Sequence, residues 1–128
     1  MDLRWIRGEE LAATSSIEVV GLGFPKRSGL DWVQLENIAT DGTHKFAIDG
    51  IAVQNAIGLM KVAPHVLWHS HSGELTGPSE TDVEFFPTWL VGIGCVFHVP
   101  TGLTTLYDET GLISSLQSHD VVTTTKQG

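Results

Sequence analysis

The sequence holds a single cysteine, Cys95, and few basic residues. Lysine and arginine total 7 against 15 aspartates and glutamates, a formal charge of −8. One cysteine forms no internal disulfide and cannot build a cysteine-rich zinc site. It lies in the apolar run from Val91 to Val99, where a free thiol reads as a small buried hydrophobe. The acidic balance opposes a phosphate backbone, so nucleic acid is not an expected partner. No basic amphipathic stretch points to a lipid surface, and no apolar run approaches a membrane span. The opening Met-Asp-Leu-Arg-Trp-Ile-Arg lacks the apolar core of a secretory signal, so a cytoplasmic location is expected. Neither an internal repeat nor a linker divides the 128 residues. They are expected to form one soluble domain over 1–128, with 119–128 a frayed tail.

What is present alternates between helical and extended patterns. Arg4 to Ala13 reads as a helix with Trp5, Ile6, Leu11 and Ala12 on one face. Ile17 to Phe24 reads as a strand, Pro25 to Gly29 as a turn and Trp32 to Ile38 as a second strand. Asp41-Gly42 marks a turn, with His44 to Ile48 as a returning strand. Asp49 is placed as the N-cap of a helix carrying Ile51, Ala52, Ala56, Leu59 and Met60, ended by Pro64. Strands are expected over His65–His71, Val91–Val99 and Leu103–Tyr107, and a strand or short helix over Leu112–Leu116. Trp5, Trp32, Trp68 and Trp89 are all assigned to packing. The interleaving predicts an α/β domain, a mixed sheet with helices packed on it.

Chemistry concentrates between Trp68 and Asp82. In a strand, residues i and i+2 face the same way, so His69 and His71 present two imidazoles side by side. Neutral imidazole is a good zinc ligand. The loop Ser72 to Pro78 turns the chain back, and Ser79-Glu80-Thr81-Asp82 has the form of a capping box. That helix start aims Asp82 and the Ser79 hydroxyl at the histidines. Two histidines and one carboxylate leave a fourth tetrahedral position open, the arrangement of a catalytic zinc. His-x-His alone is common on solvated strands, and Ser-x-x-Asp alone is an ordinary cap. Their joint occurrence in one short segment after an apolar strand carries the reading. Glu74 lies near enough to compete as a ligand. His44, His65, His98 and His119 are scattered and read as structural or exposed.

His69-x-His71, seven residues, then Ser79-x-x-Asp82 resembles the signature of the JAMM (MPN-plus, JAB domain) metalloproteases. Ile17-Glu18-Val19-Val20-Gly21-Leu22 is similar to that family's Glu-x-x-Gly-Leu strand, and His44 to Asp49 looks like its approach to the following helix. The resemblance implies a three-layer α/β/α sandwich of the cytidine-deaminase kind. It implies Zn2+ held by His69, His71 and Asp82, Glu18 as acid and base, and Ser79 steadying the oxyanion or the water. The substrate class implied is a protein or peptide: the C-terminal tail of a ubiquitin-like, sulfur-carrier or phage-tail protein. Ser72 stands where the family commonly has proline, and the chain has no room for ubiquitin-gripping insertions. A non-catalytic assembly module on the same fold is the alternative. A zinc nucleobase deaminase is set aside, because that chemistry uses a Pro-Cys-x-x-Cys segment that is missing here.

Overall fold

A computed structural model describes residues 3–117. Three helices and six strands follow in the order α1 (Ile6–Thr14), β1 (Val20–Lys26), β2 (Gly29–Leu35), α2 (Gly50–Met60), β3 (Val66–His71), α3 (Glu80–Glu84), β4 (Ile93–His98), β5 (Leu103–Asp108) and β6 (Gly111–Gln117). The strands form one mixed sheet in the order β2-β1-β3-β4-β5-β6. Only β3 and β4 run parallel, with α3 in the connection between them; every other neighbouring pair is antiparallel. The expected α/β class with a mixed sheet is therefore observed. No helix among the described residues is long and apolar enough to cross a membrane.

Side-chain alternation sorts the sheet into two apolar faces. Val20, Leu22, Phe24, Leu67, Val96 and Tyr107 gather with Val53 and Ala56 of α2 and with Phe86 and Leu90. Val19, Val66, Trp68, Cys95, Phe97 and Leu106 gather with Trp5 and with Ala12 of α1. All six residues of β3 are buried, as a strand between two neighbours and two covered faces requires. His69 and His71 share parity with Leu67, so they stand on the α2 side. Trp5 stacks on Trp32 at 5.5 Å and meets Trp68 edge-on at 4.9 Å. Its ring lies over Gly8 and Gly21, where a Cβ would fall 2.3 and 2.4 Å from it. Cys95 is fully buried, and burial pushes its thiol up to about 12. It is inert packing, as expected.

Several expected boundaries move. The β1–β2 turn is Arg27-Ser28, with Lys26 opposite Gly29, so both strands sit differently along the sequence. Pro25 is accommodated inside β1 because pairing with β3 ends at Gly23. Ile17 and Glu18 precede the ladder. The strand expected over His44–Ile48 does not form. Asn37 replaces the ladder there: its Nδ2 donates to the carbonyls of Glu18 (3.0 Å) and Lys45 (3.1 Å). Its Oδ1 accepts from the amides of Ala39 and Ala47, both at 3.1 Å. With a longer contact to the Gly42 carbonyl at 3.4 Å, Asn37 bonds five backbone groups and offers the loop an alternative to sheet pairing. Ile6 is half exposed rather than on the buried face of α1. Trp89, expected to pack, is 75% exposed; it follows the turn after α3 and lines the edge of a groove with Leu67 and Tyr107 without entering the core. Asp49 caps α2 as expected, accepting from the Ile51 amide at 2.9 Å. Helix α2 closes three residues before Pro64, with Lys61 in the left-handed conformation at φ 62°. The expected tail at 119–128 and His119 lie outside the described residues.

Candidate metal centre

The centre forms at the C-terminal end of β3, where the strand enters the Ser72–Pro78 loop. His69 is fully buried and His71 nearly so. Their Nε2 atoms are 3.2 Å apart. Asp82 arrives from the first turn of α3, with its Oδ2 3.1 Å from His69 Nε2 and 3.4 Å from His71 Nε2. Three ligand atoms thus form a nearly equilateral triangle. Ligands bound tetrahedrally at 2.0–2.2 Å from one ion stand about 3.3 Å from each other. The triangle has the edge length of such a site.

The capping box that aims Asp82 is complete. Ser79 Oγ accepts from the Asp82 amide at 3.0 Å, and Asp82 Oδ2 accepts from the Ser79 amide at 2.9 Å. One carboxylate oxygen therefore caps the helix and faces both histidines. With its oxygen already accepting from the Asp82 amide, Ser79 keeps its hydroxyl proton to donate elsewhere. Ser79→Ala is expected to lower stability by about 1 kcal/mol, the usual cost of losing a cap, and to loosen Asp82. Thermal melts would show the first effect and metal titration the second; Ser79→Thr, which still caps, should restore both.

Glu18 comes from the residues just before β1 and is 5% exposed. Its amide donates to the Gly42 carbonyl at 2.6 Å and its carbonyl accepts from Asn37. The next residue is clamped to β3: the Val19 amide donates to Ser70 Oγ at 2.8 Å, and the Ser70 amide donates to the Val19 carbonyl at 3.0 Å. Glu18 Oε2 stands 3.9 Å from His71 Nε2, outside the triangle but beside it. Glu18, His69 and His71 each offer a ligand atom within 4.8 Å of the others, so this buried group could hold a metal ion. Asp82 lies nearer to the histidines than Glu18 does, which leaves Glu18 free for another role.

The electrostatics match. Burial pushes the Glu18 carboxyl up to about 7, against the opposing pull of His71. Burial lowers His69, keeping its imidazole neutral and ready to ligate. His71 is also disfavoured as a cation by burial, but Asp82 and Glu18 outweigh that and raise it. Asp82 is held well below the ordinary carboxylate range, since hydrogen bonds from the histidines and Ser79 overcome its burial. Glu18 Oε1 and the Nδ1 atoms of both histidines are buried without a hydrogen-bond partner. Buried polar atoms are rarely left so. Of these, the Glu18 oxygen lies beside the triangle and is available to something other than the protein; the two Nδ1 atoms sit on the ring edges opposite the Nε2 corners.

The chain matches no family model and no curated protein.

Of the other candidates, Glu74 is exposed on the rim of the notch that Glu18, His71 and Ser79 line. His44 lines the same notch, 80% exposed and 3.1 Å from Asp41. His65 is exposed. His98, read as structural or exposed, is buried and holds the Ser72–Pro78 loop. Its Nε2 donates to the Gly73 carbonyl at 2.6 Å and its Nδ1 accepts from the Thr101 hydroxyl at 2.8 Å. It pairs in register with His71 across β3 and β4. Sequence reading passed over Phe46, whose ring lies 4.4 Å from that of His69, and Tyr107, which meets His69 edge-on at 6.1 Å. No spacing rule reaches these residues, because each arrives from a separate element.

Proposed function

We propose that this chain is a zinc-dependent peptidase or isopeptidase of the JAMM type. In this reading the fold is a three-layer α/β/α sandwich, supported by the two apolar clusters, one holding α2 residues and the other α1 residues. The observation that carries the proposal is the triangle of His69 Nε2, His71 Nε2 and Asp82 Oδ2, with Glu18 next to it and a notch lined by Glu18, His71 and Ser79 at its side. Two nitrogens and one oxygen suit zinc, and three protein ligands suit catalysis.

Zinc bound there would polarise the scissile carbonyl and lower the pKa of the attacking water toward about 7. Glu18 accepts the water's proton at a carboxylate oxygen and later delivers it to the nitrogen of the departing amine. Burial raises its carboxyl to about 7 in the metal-free protein, and the charge of a bound ion would draw it back down, so the two effects oppose each other at the group that moves the proton. Ser79 donates its free hydroxyl proton to the oxygen that gains charge as the carbonyl is attacked. Asp82 keeps its negative charge across the working pH range. The substrate is a protein or peptide, with the tail of a ubiquitin-like, sulfur-carrier or phage-tail protein as the class to test, in the cytoplasm.

Elemental analysis of protein purified without a polyhistidine tag tests the proposal. Wild type is expected to hold about one zinc per chain, a stoichiometry set by the three-ligand site, and His69→Ala to hold none. A wild type that takes up no zinc when zinc is supplied would overturn the peptidase reading and leave the assembly module in its place.

A further inference from the structure

Two concavities adjoin the metal triangle, each lined by one of its corners: His71 in the first and Asp82 in the second. The first is the notch on the Glu18 side, lined by Thr43, His44, His71, Ser72 and Glu74. The second is a groove of about 250 Å³ that runs between the Phe46–Ile48 segment and the residues that follow α3. Its lining includes Phe46, Ile48, Leu67, Phe85, Trp89 and Tyr107; Thr81 and Asp82 are its polar members. Phe85 is 72% exposed and Trp89 is 75% exposed. Two large aromatic side chains in water beside an apolar groove are a pattern associated with recognition, since Trp and other aromatics concentrate at binding hot spots. The volume falls below the roughly 300–1,000 Å³ of a pocket for a whole small molecule. It is sized for a side chain.

The groove is continuous with the centre. Asp82 lines it and also supplies the third corner of the triangle. Phe46 lines it and packs against His69. A chain lying across the triangle therefore has one direction into the notch and one into the groove.

We propose that this groove is a specificity subsite for a large apolar side chain on the acyl side of the scissile amide. The inference rests on the peptidase reading, because the direction follows from proton delivery. Glu18 protonates the leaving amine, so the amine half of the substrate lies toward Glu18 and its notch. The acyl half then passes Asp82 and enters the groove. A substrate carrying phenylalanine or leucine there buries Phe85 and Trp89; one carrying serine or aspartate leaves them in water and strands a polar group among apolar walls.

Binding can be read without turnover in the Glu18→Gln protein, with and without zinc. The probes are blocked peptides acetyl-Gly-X-Gly-Gly-amide with X as Phe, Leu, Ser or Asp, followed by calorimetry and tryptophan emission. Trp5 and Trp68 are buried and Trp32 is partly buried, so Trp89 is the most exposed emitter, and Trp89→Ala identifies its share of the signal. The Phe and Leu peptides should bind at least about tenfold tighter than the Ser and Asp peptides, a difference ordinary for burying one apolar side chain, and shift the emission to the blue. Phe85→Ser, an exposed position that leaves the fold intact, should remove the preference, as should Trp89→Ala. Equal affinity for all four peptides, no binding, or a preference untouched by both substitutions would overturn the subsite. With wild type and zinc, mass spectrometry should find Phe in the product that ends in a new carboxylate; Phe in the amine product overturns the assigned side. A protein that shows the preference but holds no zinc separates failure of the peptidase reading from failure of the groove.

Discussion

Glu18→Gln is expected to abolish amide hydrolysis while making the metal-free protein more stable above neutral pH. Glutamine keeps the shape of a protonated carboxyl but neither takes nor gives the proton. Losing a general acid and base costs about 10²–10⁴ in rate, so kcat should fall by at least that range, with zinc content unchanged. The stability effect has a definite sign. The Glu18 carboxyl is raised from 4.5 to about 7, so between those values the folded protein holds a proton that the unfolded chain has released. Stability therefore falls as pH rises through that window. Above it, the ionised buried carboxylate costs about 3 kcal/mol relative to an unshifted group. Glutamine escapes that cost, and the two proteins should converge near pH 4, where both side chains are neutral. Chelator-treated protein melted at pH 4 and pH 8 would show the gap opening with pH. Equal melting at both would mean that Glu18 is not held in a dry setting, and a variant that still hydrolyses would remove Glu18 from the mechanism.

Zinc should raise the melting temperature by roughly 10–20 °C when free metal stands about a thousandfold above its dissociation constant. Mass action then contributes about 4 kcal/mol, and a domain of this size shifts by roughly 3–5 °C per kcal/mol. His69→Ala and Asp82→Asn should show no shift, because each removes a corner of the triangle. The effect depends on pH through His71. Its pKa is raised, so protons compete for its Nε2 at a higher pH than an ordinary imidazole near 6.5. The zinc-induced shift should therefore shrink as pH falls, starting above 6.5. His69 contributes little to that decline, since burial lowers it. Calorimetric scans with and without zinc at pH 8, 7 and 6 provide the check. An unchanged melt at pH 8 with excess zinc would exclude a metal centre here.

The local part of this site was open to reading. His69 and His71 share a strand face, and Ser79 and Asp82 share one helical turn, so period and cap chemistry place them without tertiary information. Glu18 was different. Alone, an acid beside apolar β residues reads as a burial cost, and only the Glu-x-x-Gly-Leu resemblance gave it a role. Its position depends on Asn37, Gly42 and Ser70, three contacts with no local pattern. Asn37 also explains the missing strand at His44–Ile48: alternation in sequence was present, but one amide side chain had already taken the backbone groups a ladder would use. Trp89 shows the limit in another way. Hydrophobicity says that a tryptophan favours burial but not whether a surface is there to bury it. The facing ends of β1 and β2 moved by a few residues because the turn between them fell on Arg27-Ser28 instead of on the proline.

The three corners of the triangle are held with unequal firmness. His69 and His71 sit on a strand paired along both edges, while Asp82 sits on a five-residue helix with no buried residue, held by its own cap. Amide protons of β3 should exchange with solvent only when the whole domain opens, whereas those of α3 can exchange through a small local opening. Asp82 is thus the corner that local opening would release first, while His69 and His71 stay fixed by their strand.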